Sequence, residues 1–454
     1  MTSTSYARRR PRDFDGNSAT ELAVFDATEE LLAQTSLQKL TVAKILKKAG
    51  ISRANFYHYF ANKYDVLVAL LGRVLDTSYG ADGPWSSEPG RNRSRQMGVS
   101  LESTLQMWDE HGAVTCAVLE HMHSEPVVGR IWQGIFERFD DAVTEQIEFE
   151  RGEGRAPVGP PADLVAAMLI SAAERTFYVS SRGLDPRLPD VRSTVAPLRA
   201  INEAAIYGGR SLSIRESGTP IVAQSDSIVL TVPAPTVPAF GGEAADLEGT
   251  GRSILDAMRE LLADIPLAEL SVAQVLDRAG VSRASFYFYF RSKEDAFIVL
   301  FREAARDVVT GLATMGAIDR GDRAAFVDGV RQWLNLDDFA NAVIRNAVHT
   351  WPWLPELRTE YLTAMSAMET VLTSLIETDR AAGLAPAGPA APQYAATILW
   401  TVERTVAGAL AGFPGCCRDG RRLPVRGTVR PSRHLSGPGP RHAPRIGRPC
   451  PDVW

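Results

Sequence analysis

The residue types best suited to chemistry lie in one short stretch of the chain and in its echo. In ISRANFYHYF (51–60), Arg53, Asn55 and His58 carry donors that match base edges in a DNA major groove, and Tyr57 adds a hydroxyl. Lys39, Lys44, Lys47, Lys48 and Lys63 surround them, so residues 39–63 carry six cations and no acid in a chain of net charge −5. Such a local excess is an electrostatic footprint for a phosphate backbone, whereas a solvated helical hairpin would normally mix its charges. The stretch TVAKILKKAGISRANFYHYF (41–60) returns 230 residues later as SVAQVLDRAGVSRASFYFYF (271–290), with twelve of twenty positions identical. The second copy offers Arg283, Ser285, Tyr287 and Phe288. Phe288, standing for His58, can touch a thymine methyl but donates nothing. In residues 269–293, Glu269 and Asp277 oppose Arg278, Arg283, Arg291 and Lys293, a net of +2. The first copy is therefore expected to bind DNA more tightly.

Other chemistries find little support. His111, Cys116, Glu120, His121 and His123 invite a metal, but the five-residue step from His111 to Cys116 misses the spacing of helical zinc ligands. Ordinary helix surface and core is the expectation there, with no metal and no cofactor. No phosphate-binding loop, dinucleotide fingerprint, HExxH or nucleophile elbow occurs, and an enzyme is not expected. Three of the four cysteines (Cys416, Cys417, Cys450) crowd into the last 41 residues, which fits no disulfide framework.

The elements that must position the donors are short helices. Val42, Ile45, Leu46 and Ala49 form one face of a helix opened by Thr41, and Gly50 supplies a tight turn. Ser52 caps a second helix whose Phe56, Tyr59 and Phe60 face inward. Ser271 and Ser282 take the same capping places in the second copy. Two such helices joined by a glycine turn make a helix-turn-helix. Ser18 with Glu21, and Ser271 with Gln274, have capping-box spacing.

With 454 residues, 45% hydrophobic and 23% charged, the chain is long enough for about three domains by size alone. The last 41 residues hold nine Arg and two acids, which leaves 40 basic and 52 acidic residues, or −12, for 1–413. Helical periodicity with no strand alternation predicts an all-α fold of two repeated units. The expected divisions are an N-terminal arm 1–17, a first head 18–77, a first body 97–208 and a linker 209–249. A second head 250–308, a second body 322–413 and a tail 414–454 follow. Arg8, Arg9, Arg10 and Arg12 in the arm read as a solvated terminus or as an arm reaching a groove. No membrane span or secretory signal is visible, so the cytoplasm is the expected location.

GISRANFYHYFANKYDVL and GVSRASFYFYFRSKEDAF resemble the recognition helix and following helix of TetR-family transcriptional regulators. The resemblance runs over nearly all of 18–208 and 250–413. It implies, for each copy, a three-helix DNA-binding head and a helical body that binds a small effector and dimerises. By match to the motif, Thr41, Tyr57 and Lys63 would contact phosphates, with Lys48 and Ser52 beside them, and Arg53, Asn55 and His58 would lie nearest the bases. The second copy offers Ser271, Ser282, Tyr287 and Lys293, then Arg283, Ser285 and Phe288.

The resemblance also implies a pocket in each body. Trp108, Trp132, Phe136 and Phe177 in the first, and Trp333, Phe339, Trp351, Tyr361 and Trp400 in the second, are candidate linings for a small hydrophobic effector. AERTF (173–177) echoes VERTV (402–406), within the helices that pair in the family's dimers. The first copy has both such helices, 161–183 and 189–208. The second has only 392–412 before the chain turns Arg-, Pro- and Gly-rich, which reads as out-of-frame translation or a basic tail. The expected partner is a double-stranded operator, an imperfect palindrome, read by an internal pseudo-dimer or a homodimer. A linker of about 40 residues has an r.m.s. span of ~35 Å, close to the ~34–36 Å between successive major-groove faces. The function expected is a repressor released by its effector. The alternative is a small-molecule sequestering protein with weakened heads.

Overall fold

In the computed structural model the described residues are 18–79, 87–208, 249–320, 322–410, 417–418 and 421–422. The arginine-rich arm, nearly all of the linker and most of the 414–454 tail lie outside them. Apart from a two-residue antiparallel pairing of Cys417–Arg418 with Arg421–Arg422, the regular elements described are helices. The described residues fall into two compact units. One draws on Met1–Pro220 together with Gly388–Arg404, the other on Ile221–Ala387 together with Thr405 onward.

In the first unit, α1 (Ala19–Leu32) opens with the Ser18/Glu21 capping box, both halves of which are made. Its Val24, Phe25 and Leu32 are buried. Helix α2 (Val42–Ala49) is capped by Thr41 and stopped by Gly50 at φ +68°, a conformation that costs any side-chain-bearing residue. Helix α3 (Arg53–Tyr59) is capped by Ser52 and buries Phe56. Phe56 and Phe60 are buried as expected, but Tyr59 is only half-buried because it falls at the edge of the inward face. Helix α4 (Lys63–Tyr79) leaves the head with Val66, Leu67, Leu70, Leu71 and Val74 buried.

The body follows as α5 (Arg91–His121), kinked at His111 (φ −120°, ψ 17°), and α6 (Pro126–Gly152), with proline in its first turn. It closes with α7 (Ala162–Ser181), a 3-10 turn (Val191–Thr194) and α8 (Val195–Tyr207). One further helix belongs to this unit, α16 (Ala391–Val402), although its place in the sequence assigns it to the second body. It packs on α7, α8 and the 3-10 turn. Tyr394 and Ile398 lie against a core of Ile147, Ala162, Val165, Ala166, Leu169 and Ile201. Ala395, Ala396, Leu399 and Trp400 are buried with them. The cause is apolar area: an alanine-rich helix can approach α7 closely and remove both faces from water.

The second unit repeats the head as α9 (Thr250–Asp264), α10 (Val272–Ala279), α11 (Arg283–Tyr289) and α12 (Lys293–Thr314). Gly280, at φ +67°, stops α10 as Gly50 stops α2. Where the first repeat bends α5, the second breaks into α13 (Arg323–Leu334) and α14 (Asp338–Thr350), the latter capped by Asp337. None of the residues of α13 is buried. Helix α15 (Pro355–Ala381) completes its body. After α16 the chain runs through a five-residue π turn (Glu403–Ala407) into the short α17 (Gly408–Leu410).

Candidate nucleic-acid interface

The two heads present the same scaffold with different surfaces. Ser52 Oγ accepts from the Asn55 amide at 3.2 Å, and Ser282 Oγ from the Ser285 amide at 3.1 Å, so both caps are engaged in ordering their helices. Thr41 Oγ1 and Ser271 Oγ do the same for α2 and α10, each at 3.3 Å. From these starts Arg53, Asn55, Tyr57 and His58 all project into solvent on α3. On α11, Arg283, Tyr287 and Phe288 do likewise, Phe288 at 81% exposure. An aromatic ring so exposed adds little to the core of its own unit, where it meets only the edge of Tyr289 at 5.1 Å among the ring contacts described. Ser285 differs from Asn55, since it is half-buried and its hydroxyl is 2.9 Å from that of Ser282.

Lys63 and Lys293, expected at phosphates, direct their ammonium groups to backbone carbonyls of their own heads. Lys63 Nζ donates to the carbonyls of Leu37 at 2.7 Å and Leu40 at 3.2 Å. Lys293 Nζ does the same to Leu267 and Leu270, each at 2.7 Å. In both heads the ammonium ties the turn before the helix-turn-helix to the helix after it. Burial holds the Lys63 ammonium below its ordinary pKa, with Glu125 opposing the shift. Lys48 is paired with Glu30 on α1, and Arg278 takes the matching place against Glu260 at 3.3 Å. Both pairs are solvent-exposed, so they hold their cations weakly. Lys47 and Arg291 add exposed cations. Arg291 is anchored on Asp295 at 3.2 Å, which raises its pKa.

The aromatic residues expected around an effector divide. Trp108, Trp132, Phe136 and Phe177 are all buried in the first body, with the Trp108 and Phe177 rings 5.7 Å apart. Trp351 and Tyr361 stack at 5.1 Å, and Phe301 stacks on Tyr361 at 5.5 Å, as a packed core. Trp333 is half-buried, its indole donating to the Val308 carbonyl at 2.9 Å. Two of the candidates are corrected. Phe339 is 44% exposed on α14, in the first turn of the helix where nothing covers it enough to line an enclosed pocket. Trp400 lies within the first unit, its Nε1 donating to Asp185 Oδ2 at 2.9 Å.

Sequence reasoning missed the ionic contacts of the bodies, because their partners lie far apart along the chain. Arg404 Nε donates to Glu174 Oε1 at 2.6 Å and Arg175 donates to Glu403 at 2.5 Å, with all four side chains buried. Glu174 also accepts from Trp132 Nε1 at 3.1 Å. The only signal was the repeated Glu-Arg pair in AERTF and VERTV. His111, at the α5 kink, meets Glu29 of α1 at 2.5 Å and so joins head to body. Among the described residues no three His, Cys, Asp or Glu side chains converge as a metal site. Burial pushes the Cys116 thiol up to about 12, a protonated state unsuited to a ligand. No helix among them is long and apolar enough to cross a membrane.

Both heads match the family model for bacterial regulatory proteins of the tetR family, over residues 24–70 and 254–299. Residues 98–208 match the C-terminal domain of the transcriptional regulator EthR. The chain is 31% identical over 189 residues to the HTH-type transcriptional regulator EthR of Mycobacterium tuberculosis (strain ATCC 25618 / H37Rv), covering 41% of this chain and 87% of that protein. It is 29% identical over 209 residues to its namesake in Mycolicibacterium smegmatis, covering 46% and 94%. These relatives are transcriptional regulators rather than enzymes. With the helix-turn-helix pattern matched twice and the relative covered over most of its length, the chain belongs to the TetR family and is a DNA-binding transcriptional regulator with tandem helix-turn-helix heads.

Proposed function

We propose that both heads of a single chain read one operator made of two unequal halves, as an internal pseudo-dimer. The observation that carries this reading is the reciprocity of the buried ion pairs. Arg404 reaches Glu174 and Arg175 reaches Glu403, the crossing pattern of two related helices about a local two-fold axis. The second repeat's α16 thus takes the position on α7 that a dimer partner would take.

In this reading Arg53, Asn55 and His58 specify the first half-site, with Thr41, Lys48, Ser52 and Tyr57 against its phosphates. Arg283 and Phe288 specify the second, with Ser271, Ser282, Ser285 and Tyr287 around them. A small hydrophobic effector enters the first body among Trp108, Trp132, Phe136 and Phe177 and releases the DNA, which makes the protein a repressor. DNA and effector then weaken each other by the same factor. Selection of random duplex DNA by the full chain tests this. An enriched inverted repeat with unequal halves is expected, and a symmetric palindrome would replace the reading by a homodimer using two first heads.

A further inference from the structure

The reciprocal ion pairs do not by themselves decide which helix α7 pairs with. Because Glu174 and Arg175 repeat as Glu403 and Arg404, α7 of a second copy would offer the same two charges in the same order. Beyond the effective concentration that comes from being on the same chain, any preference for the chain's own α16 must come from positions where the two helices differ. The largest difference near the ion pairs lies at position 400. By the register that aligns the Glu-Arg pairs, Trp400 of α16 corresponds to Ser171 of α7.

Trp400 is 0% exposed, and its indole donates at 2.9 Å to Asp185, itself only 3% exposed. The Arg175 guanidinium lies 5.2 Å from the Trp400 ring. One tryptophan therefore neutralises part of the burial cost of a carboxylate and covers the arginine that holds Glu403. The arrangement is one-sided. The position matching Asp185 in the second repeat, 414, is proline, and the Ser171 hydroxyl is buried with no hydrogen-bond partner among the described residues. The two-fold relation kept by the charges is broken most strongly at this pair, where an indole stands against a hydroxymethyl group.

We propose that Trp400 and Asp185 form a selectivity pair that directs α7 onto the chain's own α16 and away from α7 of a second copy. In an association of two α7 helices, Ser171 would stand where Trp400 stands. That exchange leaves a void nearly the size of an indole and removes one donor from the buried Asp185 carboxylate, whose other oxygen keeps the Arg187 amide at 2.9 Å; both losses are costly in an interior. The inference rests on the single-chain reading above and names what enforces it.

Sedimentation equilibrium of the full chain tests the pair. Wild type is expected at one chain, 49.4 kDa. Trp400→Ser, which copies the first repeat's residue, is expected to self-associate toward about twice that mass. Trp400→Phe keeps an aromatic ring and removes the N–H with the remainder of the five-membered ring, so it guards against a Trp400→Ser chain that fails to fold. Its self-association should be roughly tenfold or more tighter than wild type, the equilibrium factor of one buried hydrogen bond. A one-chain wild type whose folded Trp400→Phe variant also stays at one chain over the same concentrations overturns the selectivity pair. A wild type at twice the mass overturns the single-chain reading beneath it, a separate and distinguishable result.

Discussion

Arg404 donates through Nε to Glu174 Oε1 at 2.6 Å, joining residues 230 positions apart in a site where the arginine is 1% exposed. The matching pair, Arg175 with Glu403, lies beside it. Charges so enclosed add little net stability as a pair, since each was taken out of water to form it, whereas leaving either one alone is costly.

Removing one partner should therefore cost more than the pair is worth. Glu174→Gln keeps the shape and the acceptor for Trp132 but removes the carboxylate charge that faces the buried Arg404 guanidinium. We expect a loss of about 3 kcal/mol, read as a lower urea midpoint at unchanged slope. Retention of the wild-type midpoint would show that the pair is not buried in solution.

The heads differ in what they present, so equal truncations should have unequal effects. Arg53→Ala, in the more basic head, is expected to weaken operator binding by about 1–3 kcal/mol, the range for a base contact. Arg283→Ala should cost less. A gel-shift titration compares them, and a larger loss for Arg283→Ala would contradict the ranking.

Lys63 and Lys47 separate a structural lysine from an electrostatic one. The Lys63 ammonium is engaged by carbonyls of its own head, whereas Lys47 is exposed. Lys63→Met should lower the melting temperature and leave the salt dependence of DNA affinity unchanged. Lys47→Ala should keep the melting temperature and reduce the log–log salt slope by about 0.9. A reduced slope in Lys63→Met would return Lys63 to the phosphates.

Stability should fall on the acid side of neutrality. His121 is buried against α4, its Nδ1 3.0 Å from the Ala117 carbonyl, and burial lowers its pKa below the ordinary 6.5. The Ala117 carbonyl, Glu120 and Glu125 raise it and Lys63 lowers it further, but burial prevails. The folded state therefore favours neutral imidazole. The unfolded chain binds the proton first, and stability is lost as pH drops through 6.5 toward the folded value. Urea midpoints across that range check this, and His121→Gln should flatten the dependence.

Much of the chain was legible from local signals. Thr41, Ser52, Ser271 and Ser282 cap helices because a hydroxyl three residues before an amide satisfies it whatever the rest of the fold does. Gly50 and Gly280 end helices because their backbone lies at positive φ. The all-α class, the repeat and the outward donors of α3 follow from spacing of this kind. Tertiary structure alone decided where Lys63 points, since its acceptors lie 23 to 26 residues upstream. It also decided that α16 packs in the first unit, and that the lone indole of Trp400 meets Asp185 across 215 residues. Periodicity shows which face of a helix is apolar and not which apolar face it meets. That choice belongs to packing, hydrogen bonds and buried charge between segments that no local pattern connects.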